Sequence, residues 1–260
     1  MRYFQVNVKD VPSESGHIPT LQCYFVEKSN RKRPCVVIAP GGGYSTVCTD
    51  KDGDRVALQY NAAGFHAAVL NYSVKPSHFP EPQKELLAAI ALLREHAEEW
   101  GVREDGIVLC GFSAGAHLCA SVSTLWHRLG EPISRPNAVV LCYGILTARL
   151  DHCKQFLASH ADGSEELLRL ASCDEQVSRA TPPTFLYATF EDRLANVENV
   201  LYYAERLSEY EVPFELHIFP KGGHGASWCD ETIWAKPAGG REQNYIGLSV
   251  AWLRELYGWL

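Results

Sequence analysis

The run Ile107-Val108-Leu109-Cys110-Gly111-Phe112-Ser113-Ala114-Gly115-Ala116-His117-Leu118 reads as a buried strand, a tight turn and the start of a helix. Four apolar residues end at a glycine, as central strands do. Gly111, Ser113 and Gly115 have the G-x-S-x-G spacing of a nucleophile elbow, in which a sharp turn lifts a serine hydroxyl off the sheet. Both glycine positions need small residues because strand and helix nearly touch there. The turn also aims the Ala114 N–H toward a reacting carbonyl oxygen. The five residues also suit a tight connection with an inert serine. The strand before them and the small residues after them (Ala114, Ala116, Ala120, Ser121) favour the elbow.

Working outward, the chain alternates strands and helices. Buried strands are expected at 34–40, 66–71, 107–110, 138–143, 184–189 and 214–219. Helices are expected at 55–62, 83–100, 197–210 and 244–256. That alternation predicts an α/β fold with a mostly parallel central sheet flanked by helices. Residues 3–8 and 21–27 alternate like antiparallel edge strands. Between 150 and 183 the pattern weakens to two short helical pieces, near 165–170 and 174–179. The expected organisation is one domain over 1–260, with 150–183 a small helical insertion overhanging the site.

In a parallel sheet, ligands sit at the C-terminal ends of strands. Four features fall at such ends. Gly41-Gly42-Gly43-Tyr44 follows the strand at 34–40, Ser113 follows the next, Glu191-Asp192 follows 184–189, and His224 lies between glycines after 214–219. Three glycines leave backbone N–H groups bare and admit a ligand oxygen. No Gly-Lys-Ser/Thr follows, so a Walker loop is excluded. A serine needs a base within hydrogen-bond reach and an acid to orient that base. Of ten histidines, His224 is best placed as the base. His117 sits one helical turn past Ser113 and is expected to pack beside the site, and His66 and His217 lie within strands. Asp192 fits the chain order Ser, Asp/Glu, His of α/β-hydrolases, with Glu191 its rival. Asp50, Asp52 and Asp54 do not match a calcium loop, since its sixth position is Arg55 and its twelfth Asn61. They are expected to favour the start of the helix at 55–62 through capping and the macrodipole.

Composition narrows the classes. A charged fraction of 21% and a hydrophobic fraction of 46% are those of an ordinary globule. A net charge of −7, with no basic run longer than Arg31-Lys32-Arg33, argues against nucleic acid or an anionic membrane as partner. No apolar stretch approaches bilayer-spanning length. The nine cysteines are odd in number and lack C-x-x-C spacing, so reduced buried thiols are expected rather than disulfides or zinc. With no apolar signal core after Met1, the expected location is cytoplasmic.

On these motifs the chain resembles α/β-hydrolases of the acetyl-esterase type, including acetyl xylan esterase-like and hormone-sensitive-lipase-related enzymes. Pro40-Gly41-Gly42-Gly43-Tyr44 looks like the family's His-Gly-Gly-Gly loop, with proline in the histidine place. Residues 111–118 are similar to its G-x-S-A-G-x-H-L block. The segments at 181–186, 191–192 and 223–225 resemble its acid and histidine blocks. The resemblance implies Ser113 as nucleophile, Asp192 as acid and His224 as base, with an oxyanion hole from Gly42, Gly43 and Ala114. Arg193 departs from the small or apolar residue that relatives often carry after the acid. The implied activity is a serine esterase that removes short acyl groups, acetyl foremost, from small esters such as acetylated sugars or xylo-oligosaccharides, with no metal or organic cofactor. Tyr44, Trp228 and Trp234 adjoin the predicted loops as candidate sugar contacts. The competing readings are an arylformamidase-like amidase on the same triad and a non-catalytic binding protein of this fold.

Overall fold

The computed structural model describes residues 1–27, 31–227 and 244–258. Its described residues form one eight-stranded sheet in the order β1-β2-β4-β3-β5-β6-β7-β8. The strands are β1 (Arg2–Asn7), β2 (Thr20–Phe25), β3 (Arg33–Ala39), β4 (His66–Asn71), β5 (Val102–Phe112), β6 (Ala138–Cys142), β7 (Thr184–Thr189) and β8 (Phe214–Phe219). Only β1 and β2 run antiparallel to their neighbours. The six strands from β3 onward are parallel, as the alternating pattern predicts.

The central strands read as unbroken apolar runs because both faces are covered. In β3, Val37 and Ala39 face one core, with Leu109, Leu141 and Leu186, while Val36 and Ile38 face the other, with Val108, Val140 and Phe185. This period of two is the pleat of the strand. The first face is packed by α2 (Glu81–Glu95) through Leu86, Ile90 and Leu93, by α4 (Ala114–Leu129), and by α7 (Glu198–Glu209) through Val200, Tyr203 and Leu207. The second is packed by α1 (Asp54–Ala62) through Val56, Ala57 and Tyr60, and by α8 (Tyr245–Leu256) through Val250 and Leu253. A short helix, α3 (Ala97–Trp100), closes at Gly101. Edge strands β1 and β8 are half solvated. Among the described residues no helix is long and apolar enough to cross a membrane.

The segment at 150–183 differs from its expectation. It opens with a ten-residue helix, α5 (Asp151–His160), which pattern reading does not predict. The buried positions of α5 are Cys153, Leu157 and His160. Their helical spacing is hidden because a thiol and an imidazole stand where aliphatic residues would. α6 (Glu165–Ala171) follows, then a short 3₁₀ turn, Cys173–Gln176. Cys153, Leu157 and Ala171 form a separate small core with Phe79, Leu125, Ile145 and Ala195.

Of the acids at 50–54, Asp54 keeps the expected place at the helix start and Asp52 does not. A π-helical turn, Thr49–Gly53, precedes α1, and no side chain caps the helix start. Asp54 lies in the first turn of α1, whereas Asp52 turns inward and is buried.

Candidate active site

The ends of the parallel strands are in register. Ala39 pairs with Gly111, Phe112 with Cys142, Cys142 with Tyr187, and Thr189 with Phe219. The loops that follow therefore leave one edge of the sheet together.

Ser113 sits between β5 and α4 with φ 53° and ψ −117°, a conformation that non-glycine residues rarely adopt. Its N–H donates to the Cys142 carbonyl at 3.0 Å, and its carbonyl accepts from Ala116 and His117 at 3.0 and 3.1 Å. The flanking glycines allow the turn. A Cβ on Gly111 would lie 2.2 Å from the Gly115 carbonyl oxygen, and one on Gly115 would lie 2.0 Å from that of Ala39. Neither position has room for a methyl group.

Ser113 Oγ is 2.7 Å from His224 Nε2, and His224 Nδ1 is 2.9 Å from Asp192 Oδ2. A carboxylate only accepts, so the ring carries its proton on Nδ1 and leaves Nε2 to accept from the serine. Asp192 is buried. Burial opposes its ionisation, but the hydrogen bond and charge of His224 and the N–H groups of Ala195 and Leu194 outweigh it, holding the carboxyl below its ordinary value. Its second oxygen accepts both N–H groups at 2.9 Å, which fixes the carboxylate plane. Glu191 points the other way, pairing with Lys221 at 2.6 Å on the exposed surface. Of the two acids, Asp192 is the one that lies against His224. Arg193 is exposed.

The His224 loop is held at several points. Thr189 Oγ1 donates to the Gly222 carbonyl at 2.7 Å. Gly222 and Gly225 have φ of 116° and 76°, a region that favours glycine. Tyr143, just past β6, stands edge-on to the imidazole with ring centroids 5.3 Å apart, and its hydroxyl accepts the Ser227 N–H at 2.8 Å. Tyr143 is a contact that sequence reasoning misses. Its only signal is its place at the end of a buried strand, beside Gly144.

On the other side of Ser113 lies the glycine loop. Gly42 and Gly43 have φ of 134° and 63°. The Ala114 N–H opens α4, where the helix dipole favours negative charge.

The predicted sugar contacts fare differently. Tyr44 is only 1% exposed. Its ring stacks on His160, centroids 3.7 Å apart, and its hydroxyl meets His117 Nδ1 at 2.8 Å. It is a buried strut under the glycine loop, and its ring faces protein rather than ligand. Trp228 and Trp234 lie outside the described residues. His117 does not reach the serine, since its Nε2 is bound to the Ala171 carbonyl at 2.8 Å. His66 is a satisfied core histidine, accepting the Val26 N–H and bonding the Gly101 carbonyl.

The row sets a hydroxyl, an imidazole and a carboxylate in line beside backbone N–H groups, an arrangement with which acyl transfer can be performed. The family model described as BD-FAE matches residues 21–207. Endo-1,4-beta-xylanase B of Butyrivibrio fibrisolvens is 29% identical over 253 residues, covering 91% of this chain and 39% of that protein. An acetylxylan esterase of Xylanibacter ruminicola is 28% identical over 211 residues, covering 78% and 42%. The chain thus spans about two fifths of the length of these curated relatives. Among solved structures, an acetyl ester-xyloside bifunctional hydrolase from Caldicellulosiruptor lactoaceticus superposes with a TM-score of 0.84 at 29% identity, covering 99% of this chain and 97% of that one. MGS-M1, an α/β hydrolase from a Medee basin deep-sea metagenome library, does so with 0.78 at 30%, covering 98% of each.

Proposed function

The chain belongs to the BD-FAE family and has the α/β-hydrolase fold, and from that premise we propose that it is a serine esterase releasing short acyl groups, acetyl foremost, from small esters. The observation that carries the reading is the continuous row from Ser113 Oγ through His224 to Asp192, with contacts of 2.7 and 2.9 Å.

In this mechanism Ser113 Oγ attacks the ester carbonyl carbon as its proton passes to His224 Nε2. The carbonyl oxygen becomes an oxyanion and is held by the N–H groups of Gly42, Gly43 and Ala114. Such preorganised donors are worth about 3 kcal/mol each. The tetrahedral intermediate collapses, the C–O bond to the leaving group breaks, and His224 protonates the departing alkoxide. Water then attacks the acyl-serine, giving its proton to His224, and the acid leaves as Ser113 recovers its proton. Asp192 stabilises the imidazolium and holds its tautomer. The leaving groups we propose are hydroxyls of sugars or short xylo-oligosaccharides. The names of the acetylxylan esterase and acetyl ester-xyloside hydrolase relatives support that class.

Acetate release from p-nitrophenyl acetate and from acetylated xylo-oligosaccharides tests the reading, together with fluorophosphonate labelling. Ser113→Ala should abolish labelling and lower kcat by about a million-fold, the scale seen for serine hydrolases. Activity near wild type in that variant, or a preference for long acyl chains, overturns it.

A further inference from the structure

Asp52 has no part in the steps above, yet it lies against the groups that perform them. It is 4% exposed. Its Oδ2 accepts the Gly41 N–H at 3.0 Å. A methyl group on Gly41 would stand 2.9 Å from that oxygen and 3.3 Å from Ser113 Cβ, so carboxyl and nucleophile flank one glycine. The other oxygen, Oδ1, is buried too, and Ser227 and His224 both act on the carboxyl. Burying a carboxyl costs stability, and a helix-start acid left in solvent would avoid the cost.

The backbone around Asp52 closes a ring. The Asp52 N–H donates to the Cys48 carbonyl at 2.8 Å, and the Cys48 N–H donates to the Gly41 carbonyl at 3.0 Å. Gly41 is thereby held at both its N–H and its carbonyl. The next carbonyl, that of Gly42, accepts from Ser45 and Thr46 at 3.0 and 3.2 Å. In a planar trans peptide the C=O and the N–H that follows it point opposite ways. The Gly41 and Gly42 carbonyls face the turn at 45–48, so the N–H groups of Gly42 and Gly43 face away from it. Those are two of the three donors assigned to the oxyanion. The turn carrying Asp52 also touches the base's loop, where the Lys51 carbonyl accepts from Ser227 Oγ at 2.8 Å.

We propose that Asp52 is a positioning residue for acyl transfer, its Oδ2 fixing Gly41 so that the Gly42 and Gly43 N–H groups are aimed at the developing oxyanion. The proposal rests on the serine-esterase reading. It assigns the role to a hydrogen-bond acceptor, which an asparagine carbonyl also supplies. Burial pushes the Asp52 carboxyl up, while the Gly41 N–H, Lys51, Ser227 and His224 oppose that.

The test compares wild type, Asp52→Ala and Asp52→Asn in p-nitrophenyl acetate hydrolysis, inhibition by an aryl boronic acid and thermal melting. The boronic acid forms a tetrahedral adduct on Ser113 and places an oxygen among the same donors. The alanine variant should lose about 10- to 100-fold in kcat, with KM within about twofold, because misaimed donors act on the transition state alone. Boronic acid affinity should fall in parallel, and the asparagine variant should recover to within about fivefold of wild type. Asp52→Ser, too short to reach Gly41, replaces the alanine variant if that does not fold. The proposal is overturned by wild-type kcat in the alanine or serine variant, by a loss carried in KM, or by a folded asparagine variant as slow as alanine. Failure of the esterase reading looks different, as wild-type hydrolysis that survives Ser113→Ala.

Discussion

The Tyr44 hydroxyl donates to His117 Nδ1 at 2.8 Å, and this bond ties the glycine loop to the helix that follows Ser113. The direction follows from the other side of the ring. His117 Nε2 meets the Ala171 carbonyl, which only accepts, so Nε2 carries the proton and Nδ1 receives one. One neutral imidazole thus joins the loop at 41–44, helix α4 and the insertion.

Tyr44→Phe should cost about 1–2 kcal/mol of stability, because it strands the buried Nδ1 without a donor. Denaturant melts of the two proteins measure that cost. KM for an acetylated xylo-oligosaccharide should stay within about twofold, since a ring buried against His160 offers no face to a sugar.

Acid should unfold this protein through its buried histidines. Burial lowers His117 and His66 to about 4 each, and His160 to about 2. The unfolded chain takes up these protons near its ordinary histidine value, before the folded one does. Stability is therefore full above about pH 6.5 and falls as pH drops toward 4, by up to about 1.4 kcal/mol per unit for each histidine. The buried carboxyls of Asp52 and Glu85, pushed up by burial, act in the opposite sense. A difference measurement isolates the histidine term: the slope for His117→Gln should be shallower than wild type by about that amount per unit.

The two neighbouring acids should separate cleanly in kinetics. Asp192→Asn keeps the shape but reverses one partner of His224 Nδ1, and should lower kcat by about 10⁴-fold, as loss of the acid does in other triads. Glu191→Gln weakens an exposed pair with Lys221 while keeping an oxygen for the Gly222 N–H, and should change kcat by less than about twofold. Steady-state rates on p-nitrophenyl acetate compare them directly.

Two glycines near Ser113 should respond differently to alanine. At Gly115 the new methyl meets the Ala39 carbonyl oxygen at 2.0 Å, and neither backbone can yield cheaply. A loss of about 3 kcal/mol or more, or no folded protein, is expected. At Gly43 nothing lies within 4 Å of the methyl, and only the φ of 63° resists, so about 1 kcal/mol is expected. Thermal melts rank the pair.

Much of this was legible in the chain because it rests on local rules. The glycines at 111 and 115 announce a close approach, the apolar runs announce strands covered on both faces, and the order of serine, acid and histidine follows the order of the strands. What the chain did not show is where Glu191 goes instead, to Lys221 thirty residues away. Helix α5 was hidden because Cys153 and His160 occupy its inner face. Asp52 was misread because an acid before a helix ordinarily caps it, and only the fold brings Gly41 within reach. Tyr44 was misread because adjacency to a loop says nothing of which side of the loop a ring takes.

Ser113 and His224 meet although 111 residues separate them in the chain. His224 follows β8, whose one neighbour among the described strands is β7. During refolding, helices and the inner strands are able to form while that outer pairing is still missing, and closing such distant contacts is slow. Recovery of catalytic turnover should therefore lag the return of the helical signal, and the lag times the arrival of the final strand.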